Sequence, residues 1–136
     1  MPGPFPYRVT ASVLSSGTPI EFGIPAPVCD VTVSFRGNLE TIPALFDSGA
    51  TRTVLPHRLV ALLNLIQLND DVEVTVANGN KSKRSLYMAD LSFLGLSFPR
   101  HTVLTLENRH HMLIGRDILN RYKTTLDGPA DQFSLQ

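Results

Sequence analysis

Cysteine is almost missing from this chain: Cys29 stands alone. A single thiol excludes an internal disulfide framework and a zinc site built on several cysteines, and it fits a reducing compartment. An excess of charge of either sign is missing too. Twelve Lys and Arg offset twelve Asp and Glu, for a formal net charge of zero. That balance argues against nucleic-acid binding by bulk charge, which needs a clear surplus of cations, and against an acidic disordered tail. Long apolar runs are also lacking. The longest uncharged apolar stretch after residue 58, Leu59 to Leu68, falls far short of the roughly 20 residues that span a bilayer. The start, MPGPFPYRVT, has no basic region leading into an apolar run, so no signal peptide is read there. The expectation is a single-domain cytoplasmic protein with no membrane contact through this chain. The proline-rich start and the end at Gln136 are equally compatible with a piece of a longer protein.

With 136 residues, 43% of them hydrophobic, the chain is long enough for one domain with a real core. Six of its ten prolines fall in the first 27 residues. Proline removes a backbone donor, so residues 1–27 are expected to form an irregular arm with an edge strand, Tyr7 to Leu14, and residues 28–136 the domain proper. Val28 to Phe35 alternates, with 29, 31, 33 and 35 apolar, which is a half-buried strand. Arg36-Gly37-Asn38 signals a turn, and Leu39 to Phe46 a returning strand. Pro56 to about Leu65 reads as a helix, with Leu59, Leu62, Leu63 and Ile66 as its core-packing stripe. Val72 to Ala77 alternates again, and Asn78-Gly79 signals a two-residue hairpin turn into Ser85 to Phe93. Further strands are expected at 102–106, 112–114, 123–126 and 132–135, and a short helix at 116–122. The sum is mainly β, many short strands with two short helices.

The segment with chemistry is Ala44-Leu45-Phe46-Asp47-Ser48-Gly49-Ala50-Thr51. A carboxylate emerging from an apolar strand needs donors, or a second group to share a proton. Ser48 offers a hydroxyl, and Gly49 lets backbone amides come close. Taken alone, D-S-G also fits a simple Asx turn. A second motif, Leu113-Ile114-Gly115-Arg116-Asp117-Ile118-Leu119, follows, with Gly115 lying 68 residues after Asp47.

Together with LFDSGATRTVLP at 45–56, that second motif resembles the retropepsin family of aspartic proteases. Those enzymes carry an apolar-apolar-Asp-Ser/Thr-Gly-Ala loop and a later apolar-apolar-Gly-Arg-Asp/Asn turn. The resemblance spans about Val28 to Leu135, and the closing segment from Tyr122 looks more like bacterial retropepsin-like domains than viral ones. It implies the retropepsin-like acid protease fold, with a hairpin flap over 72–93. It also implies peptide hydrolysis by two carboxylates that share a proton, for which aspartic proteases are the standard case. The chain has one D-S-G and no internal repeat, so the second carboxylate must come from another copy, in a two-fold homodimer with paired Asp47 residues.

Position by position, the resemblance makes Asp47 catalytic and Ser48 and Gly49 its loop support. Ala50, Thr51 and Arg52 would lie beside the peptide substrate, and Ala77, Asn78, Gly79 and Asn80 at the flap tip above it. Ile114 would pack beneath the loop or line a pocket. Gly115, Arg116 and Asp117 form the structural turn, with Arg116 held by ion pairs or backbone carbonyls. Viral relatives often carry an acid where Thr51 and Arg52 stand, so Arg116 needs another partner. The basic residues after the flap tip, Lys81, Lys83 and Arg84, either favour acidic or polar substrates or guard a hairpin edge. No metal or cofactor is implied. His110-His111 reads as a polar loop, His57 as a surface residue and Cys29 as a small core residue. The rival reading is a catalytically inactive, retropepsin-shaped dimerisation or peptide-binding module.

Overall fold

The computed structural model describes residues 3–9, 11–13, 19–21, 24–75 and 78–136. The first strands are short: β1 (Phe5–Pro6), β2 (Ala11–Val13) and β3 (Pro19–Glu21). The longer ones follow as β4 (Val28–Phe35), β5 (Asn38–Phe46) and β6 (Val54–Pro56). Helix α1 (Arg58–Leu63) leads into β7 (Ile66–Thr75), β8 (Lys81–Phe93) and β9 (Leu96–Leu106). The chain closes with β10 (Met112–Ile114), α2 (Arg116–Leu119), β11 (Thr124–Asp127) and β12 (Gln132–Leu135). The fold is mainly β, as the alternation in the sequence implies.

Six strands close a barrel in the order β4-β5-β10-β6-β9-β8, because β4 pairs with β5 on one side and with β8 on the other. Closure removes the exposed edges that an open sheet would present. Strand β7 lies outside the ring and extends β8 as a hairpin arm. Alternation fills the barrel: Val31 and Val33 of β4, Ile42 and Ala44 of β5, and Leu91 of β8 are almost fully buried on its inner face. Intervening residues build a second apolar cluster of Val54, Leu86, Leu104 and Leu113, against which Leu45, Ala50, Val72 and Val74 pack. Strand β10 is therefore buried throughout, which explains its unbroken apolar run.

Strand order makes the site. β10 runs parallel to β5 and antiparallel to β6. It is inserted between two strands that the chain itself joins through residues 47–53, so this loop must arch over the end of β10. Beneath it, the small sheet β1-β12-β11 docks through Phe133, whose ring lies 4.9 Å from Phe46 and 5.4 Å from Phe5. Strands of two to four residues are too short to be stable by themselves, so this aromatic contact carries the sheet.

Several expectations need correction. The segment from Tyr7 to Leu14 is not one strand: the Tyr7 N–H donates to the Asp131 carbonyl, Arg8 bridges to Ala26, and β2 pairs with β3. Three different partners break it up; Thr10 and Leu14 lie outside the described residues. Helix α1 has six residues, and left-handed Asn64 (φ 55°) ends it. Only Leu59 and Leu63 of the expected stripe reach the core. Leu62 is 54% exposed, and Ile66 is 36% exposed and already belongs to β7. The hairpin between β7 and β8 is not a two-residue turn either. Thr75 faces Lys81, so the connection is 76–80, and Asn78 folds locally by accepting the Asn80 N–H at 2.9 Å. A two-residue turn occurs instead at Arg36-Gly37, where both residues have positive φ and Phe35 faces Asn38. The second helix stops at Leu119.

Candidate active-site loop

The loop that leaves β5 is held from below by backbone bonds. The Asp47 N–H donates to the Ile114 carbonyl at 3.0 Å, and the Arg116 N–H to the Ala50 carbonyl at 2.9 Å. Asp47 is half-buried. Its Oδ1 accepts the Gly49 N–H at 2.8 Å, and its carbonyl accepts the Ala50 N–H at 3.1 Å. A Cβ on Gly49 would stand 3.0 Å from that same Oδ1, so glycine is what lets the amide approach. Among the described residues, no second carboxylate hydrogen-bonds to Asp47. Ser48 and Gly49 are exposed.

Arg116 clamps the loop from the side. Its Nη1 donates to the Ser48 carbonyl at 2.8 Å and its Nη2 to Thr51 Oγ1 at 3.3 Å. A carbonyl and a hydroxyl thus take the place an acid fills in viral relatives. Gly115 is required by proximity, since a Cβ there would lie 2.5 Å from the Arg52 carbonyl carbon and 2.9 Å from the Ala50 oxygen. Ile114 is fully buried, and its carbonyl accepts the Asp47 N–H at the start of the loop.

Behind the loop lies a polar hub that the sequence reading missed. Thr53 is fully buried. Its hydroxyl donates to Asp117 Oδ1 at 2.8 Å and accepts the Gly115 N–H at 3.3 Å, while its own N–H donates to Asp117 Oδ2 at 3.0 Å. His101 of β9 meets the same Oδ2 through Nε2 at 2.8 Å. Burial alone pushes the Asp117 carboxyl up. The hydrogen bonds from His101 and from the Thr53 N–H and hydroxyl outweigh it and hold the group below its ordinary value. Asp117 is therefore more than a turn residue: it ties the loop, β9 and α2 together. The available signal was Thr53, a polar residue next to the apolar Val54-Leu55 pair.

The remaining candidates lie elsewhere. Asn78, Gly79 and Asn80 are exposed at the tip of the β7–β8 hairpin, and Ala77 lies outside the described residues. The tip end of β7 reaches the loop through the cluster of Val54, Leu86, Leu104 and Leu113, against which Val72 and Val74 pack, as do Ala50 and Leu45. His57 is exposed and its Nδ1 lies 2.7 Å from Thr105 Oγ1. Burial, then Arg109 and His110, push the His111 imidazole down. Cys29 is buried, and burial raises its thiol to about 12. Among the described residues no group of three His, Cys, Asp or Glu could hold a metal ion, and no helix is long and apolar enough to cross a membrane.

The profile of the family described as gag-polyprotein putative aspartyl protease matches residues 31–121. Among solved structures, a retropepsin-like aspartic protease from Rickettsia conorii superposes with a TM-score of 0.51 at 14% identity, covering 96% of this chain and 95% of its own. The retroviral protease-like domain of Ddi1 from Leishmania major gives a TM-score of 0.49 at 16% identity, covering 82% of this chain and 95% of that domain. No curated protein sequence matches significantly.

Proposed function

We propose that this chain, which belongs to the gag-polyprotein aspartyl protease family, works as a homodimeric aspartic endopeptidase. The observation that carries the reading is the state of Asp47. It is a half-buried carboxylate on a loop braced by Arg116 and Gly115, with one backbone donor and, among the described residues, no second carboxylate hydrogen-bonded to it. Such a group is half of a dyad. A two-fold axis through the loop supplies the other half, because it sets the same residue face to face with itself. A groove of about 330 Å³ beside the loop, between Phe46, Arg116, Leu119, Tyr122 and the exposed Leu126, gives the second copy an apolar face to meet.

In the dimer the two Asp47 carboxyls share one proton. The ionised one takes a proton from water, whose oxygen attacks the scissile carbonyl carbon. The protonated one gives its proton to the carbonyl oxygen. The resulting diol collapses, the amine nitrogen leaves with a proton, and no bond to the enzyme is formed. Ser48 and Gly49 hold the loop. Substrate lies extended beside Ala50, Thr51 and Arg52, with the β7–β8 hairpin as a flap and its tip, Ala77 to Asn80, above the peptide. The apolar cluster around Ala50, Leu45 and Val74 favours aliphatic side chains next to the cleaved bond.

The test is cleavage of a diverse peptide mixture by wild type and Asp47→Asn side by side, from about pH 4 to about pH 8, with the mass in solution measured in parallel. Wild type alone is expected to cleave, between apolar residues and with a bell-shaped pH profile. Residual cleavage by Asp47→Asn would sink the mechanism. A proven dimer that cleaves nothing at any pH points instead to a catalytically inactive dimerisation or peptide-binding module, or to a chain that needs an activating segment.

A further inference from the structure

A polar cavity of about 320 Å³ opens beside the active-site loop, walled by Arg52, Arg100, Arg121, His101, Asp117 and Phe98, among others. We propose that it binds an oxyanion, a carboxylate or phosphate group, held by the three guanidinium groups.

The three arginines come from separate parts of the chain: the loop after Asp47, strand β9, and the turn after α2. Among the described residues, no carboxylate lies within salt-bridge distance of any of them. The one acid in the wall, Asp117, already accepts from Thr53 and His101. The cavity is therefore left with an unbalanced excess of positive charge. Arginines scattered on a convex surface would simply be solvated, but these line one concavity, where the backbone of Arg100 and the guanidinium of Arg121 are each held by a local contact. Arg100 sits at a bulge where β9 gains a residue opposite Asp90; its φ is 51°, and its N–H donates to Asp90 Oδ1 at 2.7 Å. Non-glycine residues rarely adopt that conformation, and bulges re-aim side chains. Arg121 lies over the Phe98 ring, 5.6 Å from its centroid, which fixes its plane against the wall. A guanidinium presents a planar fork of donors that matches a carboxylate or phosphate edge. Arg52 directly precedes Thr53, which Asp117 grips twice, so an anion held by Arg52 also steadies the segment that carries Asp47.

The group can arrive as a free ion or as an acidic side chain of the bound peptide, and binding to folded protein separates the two without any cleavage. The imidazole signals of His101 are followed by NMR while inorganic phosphate is added to wild type at constant ionic strength. In parallel, peptides differing only in Glu or Gln are added to Asp47→Asn, which does not consume them. Saturable phosphate binding that weakens roughly tenfold in Arg100→Gln or Arg121→Gln assigns the site to a free oxyanion. A response to the Glu peptide alone, lost in the same variants, assigns it to the substrate. Thermal unfolding checks that both variants fold. No saturable response to either probe, or one equal in the arginine variants or in chloride, overturns the proposal. None of these readouts depends on proteolysis, so the endopeptidase reading stands or falls separately.

Discussion

The Thr53 hydroxyl donates to Asp117 Oδ1 at 2.8 Å across 64 residues of sequence. This contact joins the two motifs into one object, because Thr53 ends the Asp47 loop and Asp117 opens α2. Thr53→Val keeps the shape but strands the Gly115 N–H and leaves Asp117 Oδ1 with the Ile118 N–H as its one remaining donor. Its expected cost is about 1–3 kcal/mol, read as a lower urea midpoint. Combined with Asp117→Asn, the two losses are expected to be clearly less than additive.

Stability is expected to depend on acid through Asp117. Its folded carboxyl titrates below its ordinary value, held there by His101 and Thr53 against burial. The unfolded chain therefore binds the proton first as pH falls. The stabilisation is complete above the ordinary carboxylate range, near about pH 4, and is lost as pH drops through the folded value. Thermal unfolding measured across that range is expected to show a falling Tm, with a shallower slope in Asp117→Asn.

Gly115→Ala tests the close approach of the second motif to the loop. The new methyl would meet the Arg52 carbonyl carbon at 2.5 Å and its oxygen at 2.6 Å, both backbone atoms that cannot swing aside. Overpacking of this kind costs about 1–3 kcal/mol. Because the displaced segment follows Asp47, cleavage is expected to fall far more than stability does. Equal activity in the folded variant would contradict the bracing role of Gly115.

Phe133→Ala tests whether the terminal sheet supports the site. Phe133 is 1% exposed and touches Phe5, Tyr7 and Phe46. Truncation is expected to cost about 3–5 kcal/mol and to loosen β1, β11 and β12 together. Hydrogen exchange is expected to rise first in those strands and then at the Asp47 N–H, one residue beyond Phe46.

Much of this protein was legible in the chain. Strands β4, β10 and β12 follow their sequence patterns residue for residue, because alternation or a bounded apolar run leaves one way to bury the side chains. The pairing of an Asp-Ser-Gly-Ala loop with a later Gly-Arg-Asp turn identified the family from local composition alone. Wherever local and non-local interactions compete, the chain alone did not decide. Leu62 has the spacing of a core residue, but α1 ends within six residues and turns it to solvent. The Asn78-Gly79 turn was overruled by the register of Thr75 with Lys81.

What the sequence determined by itself is the set of parts: a mainly β chain, one carboxylate loop and one Gly-Arg-Asp turn. Only the tertiary structure decided that β10 slides between β5 and β6, that Asp117 meets Thr53 and His101, and that three distant arginines share a cavity. The reason is physical. Periodicity and turn chemistry act over a few residues and are written locally. A barrel closes only when strands far apart in sequence settle their order, and the contacts that follow from that order have no local signature.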